Sequence, residues 1–134
     1  MQKEVIIVTI IFIIMGIFYF ISHRYVNEKI EFISSSTQEV INLLNEDYKN
    51  ENDLNIETIN KKMDEIKTEW EEISNKLAVY IAHTELDNLT ASIITLSEYT
   101  KMENYTDAIP FACKCIVQLD QLKDKENISI INLF

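Results

Sequence analysis

Hydrophobic and polar positions divide the chain at a single point. From Val5 to Ile21 the sequence reads VIIVTIIFIIMGIFYFI, without a charge, and everything after it is polar and interrupted. Seventeen residues in a helix rise about 1.5 Å each, the short end of what crosses a bilayer and longer than a signal-peptide core of roughly 7–15 residues. Val5, Ile6, Ile7, Ile10, Ile11, Phe12, Ile13, Ile14, Ile17, Phe18, Tyr19, Phe20 and Ile21 carry the hydrophobicity. Aliphatic residues of this kind each favour insertion by roughly 0.3–0.6 kcal/mol at a helix centre, so the segment is expected to insert by several kcal/mol.

Past the anchor the apolar positions recur at helical spacing. Ile30, Ile33, Thr37, Val40 and Leu44 alternate by three and four, and Ile56, Ile59, Met63, Ile66, Trp70, Ile73, Leu77 and Tyr80 do so over seven turns. The polar stretch Asn45–Asp53 between them predicts a loop. After Tyr80 the phase shifts, and Leu86, Leu89, Ile93, Leu96 and Tyr99 mark a third helix from about Thr84 to Lys101. Thr84 with Asp87 is expected to form a variant capping box there. Residues 104–107 predict the next loop, with Asp107 as N-cap and Pro110 in the first turn of a last helix carrying Ala108, Ala112, Cys115, Ile116, Leu119 and Leu122. The chain then ends in an apolar tail, Ile128 to Phe134, expected to pack back onto the bundle. Nothing breaks the pattern between Ile21 and Leu44, although Ser34, Ser35, Ser36 and Thr37 are weak helix formers.

These elements predict an all-α protein: an N-terminal transmembrane helix (1–26) followed by a small antiparallel bundle of about four helices, two stacked helical hairpins (27–134). One Gly and one Pro in 134 residues argue against a sheet, which needs turns. A faint likeness between the stretch from Ile41 and that from Ile94 suggests hairpins stacked as in tetratricopeptide-type repeats, without that family's signature residues.

Charge narrows the partners. From Asn27 onward ten Lys/Arg face twenty-one Asp/Glu, a balance of −11. Such a domain repels nucleic acid and anionic headgroups. Lys3 on one side of the span against Arg24 and Lys29 on the other leaves orientation nearly undecided by the positive-inside rule. Cleavage after the apolar core would require small residues, and Phe18–Arg24 offers none beyond Ser22. A lipoprotein would require a cysteine there, and the cysteines are Cys113 and Cys115.

Candidate chemistry is sparse. His83 and Asp87 stand at i, i+4, a spacing compatible with one metal but lacking a third ligand, so His83, Glu85 and Asp87 are read as a polar corner organising the turn before the third helix. Trp70 lies on the apolar stripe and is expected in the core. Asp64, Glu65, Glu69, Glu71 and Glu72 read as a solvated face partly neutralised by Lys61, Lys62, Lys67 and Lys76. Cys113 and Cys115, two apart on a helix, face different ways and cannot pair with each other. Three N-x-S/T sequons, at Asn88, Asn104 and Asn127, are at the frequency that this Asn-rich composition produces by chance. No catalytic residue, metal or cofactor is expected, and no enzyme activity.

In order along the chain stand an N-terminal anchor, Trp70 on a charged helix, His83-x-Glu85-Leu86-Asp87-x-Leu89, and the ending Ile128-Ser-Ile-Ile-Asn132-Leu133-Phe134. In this the chain resembles the DUF4363 family, small membrane-anchored bacterial proteins of unknown function found in Gram-positive spore formers. The cysteines and Pro110 lie outside the family pattern. The resemblance implies an anchor in the cell membrane, single-pass and N-in, with the helical domain outside the cytoplasm, and it implies no activity. Two functions are expected to compete. One is a membrane-tethered interaction module that contacts the bilayer through its N-terminal helix and docks on another membrane or envelope protein. The other is an extracytoplasmic ligand sensor or cation binder using the His83/Asp87 corner or the acidic helix.

Overall fold

The computed structural model describes residues 2–50, 56–79 and 81–131, with side chains described for 3–46, 56–79 and 81–126. Four helices account for the regular structure: α1 Gln2–Asn50, α2 Ile56–Leu77, α3 His83–Lys101 and α4 Tyr105–Ile131. No strand occurs among the described residues. The helices form a ring in which α1 packs on α2 and α4, and α3 packs on α2 and α4, while the diagonal pairs do not approach. Two hairpins, α1/α2 and α3/α4, thus close on each other as an up-and-down bundle. The repeat-like analogy with tetratricopeptide stacking fails here: α1 meets α4 and shuts the ring, leaving no open end for another hairpin.

The apolar run and the first bundle helix are one element. α1 runs 49 residues without interruption, about 73 Å at 1.5 Å per residue. Its first part is long and apolar enough to cross a membrane, and none of that window is buried within the chain. Burial begins abruptly at Val26, 1% exposed, and continues through Ile30, Ile33, Ser36, Thr37, Val40, Ile41 and Leu44. The weak Ser-Ser-Ser-Thr run holds because it is packed. Thr37 Oγ1 donates to the Ile33 carbonyl at 2.7 Å, so its hydroxyl is satisfied within the helix while the backbones pack closely. α1 also continues to Asn50, through the first part of the loop expected over 45–53; the remainder of that loop lies outside the described residues.

The other helices bury the faces that their spacing defines. On α2 these are Ile59, Met63, Ile66, Trp70, Ile73 and Leu77; Tyr80 lies outside the described residues. On α3 they are Leu86, Leu89, Ile93 and Leu96, joined by Ser92, Ser97 and Thr100. On α4 they are Ala108, Ala112, Cys115, Leu119 and Leu122. The small residues Ser92 and Ala112 let helices approach, and Ser92 returns its proton to the Asn88 carbonyl at 3.0 Å.

Both helix starts differ from expectation. α3 begins at His83 with Ala82 as N-cap and no side-chain cap, so the Thr84–Asp87 box does not form and the helix starts one residue before the expected Thr84. The Ala82 carbonyl takes the Glu85 and Leu86 amides, and tertiary packing fixes the turn. At α4 the N-cap role falls to Asn104, not Asp107. The Asn104 Oδ1 accepts the Asp107 amide at 3.4 Å, and Asn104 Nδ2 donates back to the Asp107 carboxylate at 2.8 Å. Asp107 is therefore the third residue of a capping box, and Pro110 falls in the helix interior, not the first turn. The loop between is correspondingly shorter. Glu103 occupies the left-handed region at φ 57°, and the Asn104 amide reaches the Tyr99 carbonyl while that of Glu103 reaches Thr100, a Schellman closure with Glu where Gly is usual.

Candidate functional site

Three places bring together residues capable of recognition. The first is an open groove of about 1020 Å³ along the outer side of α1 and α2. Phe32, 43% exposed, and Ile56 give it an apolar floor. Its rim carries Glu57, Asp64, Glu65 and Glu69 against the single Lys61, so the field in the groove is negative. These carboxylates were read from sequence as a solvated face, and most of them are. Their neutralisation is only partial: Lys67 pairs with Asp64 at 3.4 Å, while Glu69 bonds Lys29 across from α1 and holds that ammonium above its ordinary value.

The second is the α1–α2 seam just past the apolar run. The Tyr25 hydroxyl donates to Glu72, and the Lys76 ammonium lies 4.2 Å from the Tyr25 ring. The Tyr25 bond first, and Lys76 and Lys29 after it, hold the Glu72 carboxyl below its usual range. Beside it on α1, Arg24 pairs with Glu28 at 2.8 Å along the helix, which raises the guanidinium's pKa further.

The third ties the start of the bundle on α1 to the far part of α4. His23 Nδ1 lies 3.1 Å from Glu126 Oε1, across 103 residues of sequence, with the carboxylate 2% exposed. Asn27 Nδ2 lies 3.1 Å from the other ring nitrogen. A neutral imidazole with its proton on Nδ1 satisfies both contacts, donating to the carboxylate and accepting from the amide. Lys123 bonding Glu31 adds a second α4–α1 tie one turn deeper in the bundle. Neither contact had a sequence signal: single polar residues far apart in the chain carry no period.

The His83 corner gathers no ligand set. His83 and Asp87 are exposed on the first turns of α3, while Glu85 turns to α4 and bonds Lys125. No group of three or more His, Cys, Asp or Glu able to hold a metal occurs among the described residues. Leu86 and Leu89 are core residues, 5% and 2% exposed. Trp70 is 3% exposed, and its Nε1 donates to Thr90 Oγ1 at 2.8 Å. Cys113 is exposed and Cys115 buried, on different faces; burial pushes the Cys115 thiol up to about 12, which leaves it unreactive. α4 is helical through Ile128–Ile131, whereas Asn132, Leu133 and Phe134, and with them the expected packing of the tail, lie outside the described residues.

Residues 24–133 match a protein family described as a domain of unknown function, DUF4363. No curated protein matches the chain, and no solved structure does.

Proposed function

The chain belongs to the DUF4363 family, and from that premise we propose that it is a single-pass membrane protein whose bundle docks another membrane or envelope protein through the α1–α2 groove. The observation that carries this reading is the unbroken α1, which joins an unburied apolar span to a packed bundle helix without a linker. A domain held this way is presented at a fixed height and angle, as suits docking between neighbours in one membrane. The groove supplies the chemistry. An apolar floor at Phe32 and Ile56 under four carboxylates fits an amphipathic segment with a basic face. The N-in orientation is supported by the family resemblance, since the flanking charges are nearly balanced.

Two measurements test the proposal. Protease added to cells stripped of their wall should digest the bundle; digestion only after lysis reverses the orientation. A photo-crosslinking amino acid at Phe32 should capture a discrete partner in native membranes, and Glu65→Lys with Asp64→Lys should abolish the product. A product that persists through the charge reversal, or that forms equally from Val117 on α4, rules out the groove as the docking site.

A further inference from the structure

We infer that the base of the bundle, made by the α2–α3 turn and the C-terminal end of α4, is itself seated in the headgroup region of the bilayer, giving the domain a second membrane contact besides its anchor. This rests on the membrane-spanning reading of Val5–Ile21. The argument is one of height. Across α1 and α2, Tyr25 meets Glu72, Lys29 meets Glu69 and Glu39 meets Lys62. The two helices run oppositely, so each step along α2 descends one residue on α1, and Val79 arrives level with Phe18–Ser22. Across α1 and α4, His23 meets Glu126 and Glu31 meets Lys123. By the same count Ile131, the last helical residue of α4, arrives level with Phe18–His23. Two elements with separate contacts to α1 thus end at one height, where the charge-free run stops at Ile21.

What they bring to that height is apolar. Val79 is 85% exposed, the most exposed large apolar side chain described. The end of α4 carries Ile128, Ile130 and Ile131. Val79, exposed against the end of a membrane span, then meets a lipid surface and not water, and α4 ends at the same height in an apolar stretch of sequence. The span adds a pull in the same direction. Its seventeen residues reach about 26 Å, a few ångströms short of a hydrocarbon core of roughly 30 Å. A short span draws what flanks it toward the bilayer. Lys125 and Lys123, one to two turns back along α4, are each paired within the bundle, with Glu85 and Glu31, so the base does not depend on anionic lipid.

The test uses the full chain in phosphatidylcholine vesicles. Cys113→Ser and Cys115→Ala remove the native thiols, and a nitroxide is placed in turn at Phe12→Cys, Val117→Cys, Val79→Cys and Ile131→Cys. The reading is the ratio of collisions with oxygen to collisions with a water-soluble nickel chelate. Phe12 should report the hydrocarbon core and Val117 water. Val79 and Ile131 should both give ratios several-fold above that of Val117, matching a depth of about 5–10 Å inside the interface. A Val117-like ratio at either position, or a label shielded from both quenchers by protein, overturns the inference while Phe12 upholds the anchor. A water-like ratio at Phe12 overturns the anchor and the inference together. Val79, exposed as it is, tolerates the label without refolding risk and decides the matter even where Ile131→Cys disturbs the helix.

Discussion

Truncating Trp70 tests the core of the bundle most directly. The side chain lies mid-way along α2 between the fully buried Ile66 and Ile73, 3% exposed. An indole of this burial removes about 200 Å² from water, worth about 5 kcal/mol at 25 cal/mol per Å². A compact unfolded chain already hides part of that area, which trims the figure to about 3–4.5 kcal/mol. Trp70→Ala is therefore expected to remove some 3–5 kcal/mol from a domain whose total is of order 5–15 kcal/mol. Trp70→Phe separates shape from polarity. It keeps most of the apolar area but deletes the Nε1 donor to Thr90, a bond worth about 0.5–1.5 kcal/mol. Thr90 passes its own proton to the Leu86 carbonyl at 2.8 Å, so its lone pairs are free to receive the indole. Thr90→Val should then cost little on a Trp70→Phe background and more on the native one. Urea titration of a fragment from Ser22, followed by circular dichroism, reads all five species, since Trp70 is the single tryptophan and its fluorescence is lost in three of them. A Trp70→Ala loss below about 1 kcal/mol would refute the burial, and additive effects of Trp70→Phe and Thr90→Val would refute the bond.

Three further outcomes are expected. Glu103→Gly should raise stability by about 1 kcal/mol in the same titration, because a side chain at φ 57° strains the turn where glycine does not. Pro110→Ala should raise it by about 1–3 kcal/mol, since Pro110 stands inside α4 and withholds a backbone donor from the Thr106 carbonyl. Glu72→Gln should destabilise the bundle at neutral pH and lose that effect in acid. The folded Glu72 carboxyl titrates below its ordinary 4.5, so its contribution is present above that value and disappears as pH falls through the folded one. Melting temperatures of the variant and parent should differ at neutral pH and converge as the pH falls through the lowered folded value.

What was legible in the sequence was whatever repeats. The three-and-four spacing of Ile59, Met63, Ile66, Trp70, Ile73 and Leu77 is the buried face of α2, with Ile56 half-buried at its start, and Ile30, Ile33, Thr37, Val40 and Leu44 are all buried on α1, where Ser36 and Ile41 join them off the stripe. Helix ends were less legible, because capping residues compete. Asn104 and Asp107 can each serve as an N-cap, and both belong to one box; which leads is settled by the Schellman closure before it, set by Tyr99 and Thr100. Thr84 had the better capping side chain, yet packing of Ile81 and Leu86 started α3 a residue earlier, behind Ala82. The contacts that close the ring were invisible. His23 and Glu126 carry no period, and a buried glutamate near the end of an acidic chain reads as one more surface charge until the fold brings the first helix beside the last.

That pairing bears on how the domain meets the membrane. A bundle attached through a flexible stalk could tilt freely, and its groove would sample all directions. Here rigidity is built in twice. α1 enters the core at Val26 only five residues past the apolar run, and α4 is fastened back to the same helix at His23 before the core begins. The weak helix formers Ser34–Thr37, where α1 could most easily have broken, lie about two to three turns inside the bundle, with Ser36 and Thr37 buried under α1's neighbours. The least helical stretch of α1 is thus held by packing, and the stretch without packing, the span, is the most strongly apolar part of the chain. The packed segment is held by the bundle and, on the membrane-spanning reading proposed above, the apolar one by the bilayer, so the helix runs unbroken through the transition and the groove beside Phe32 then stands at a set height above the membrane.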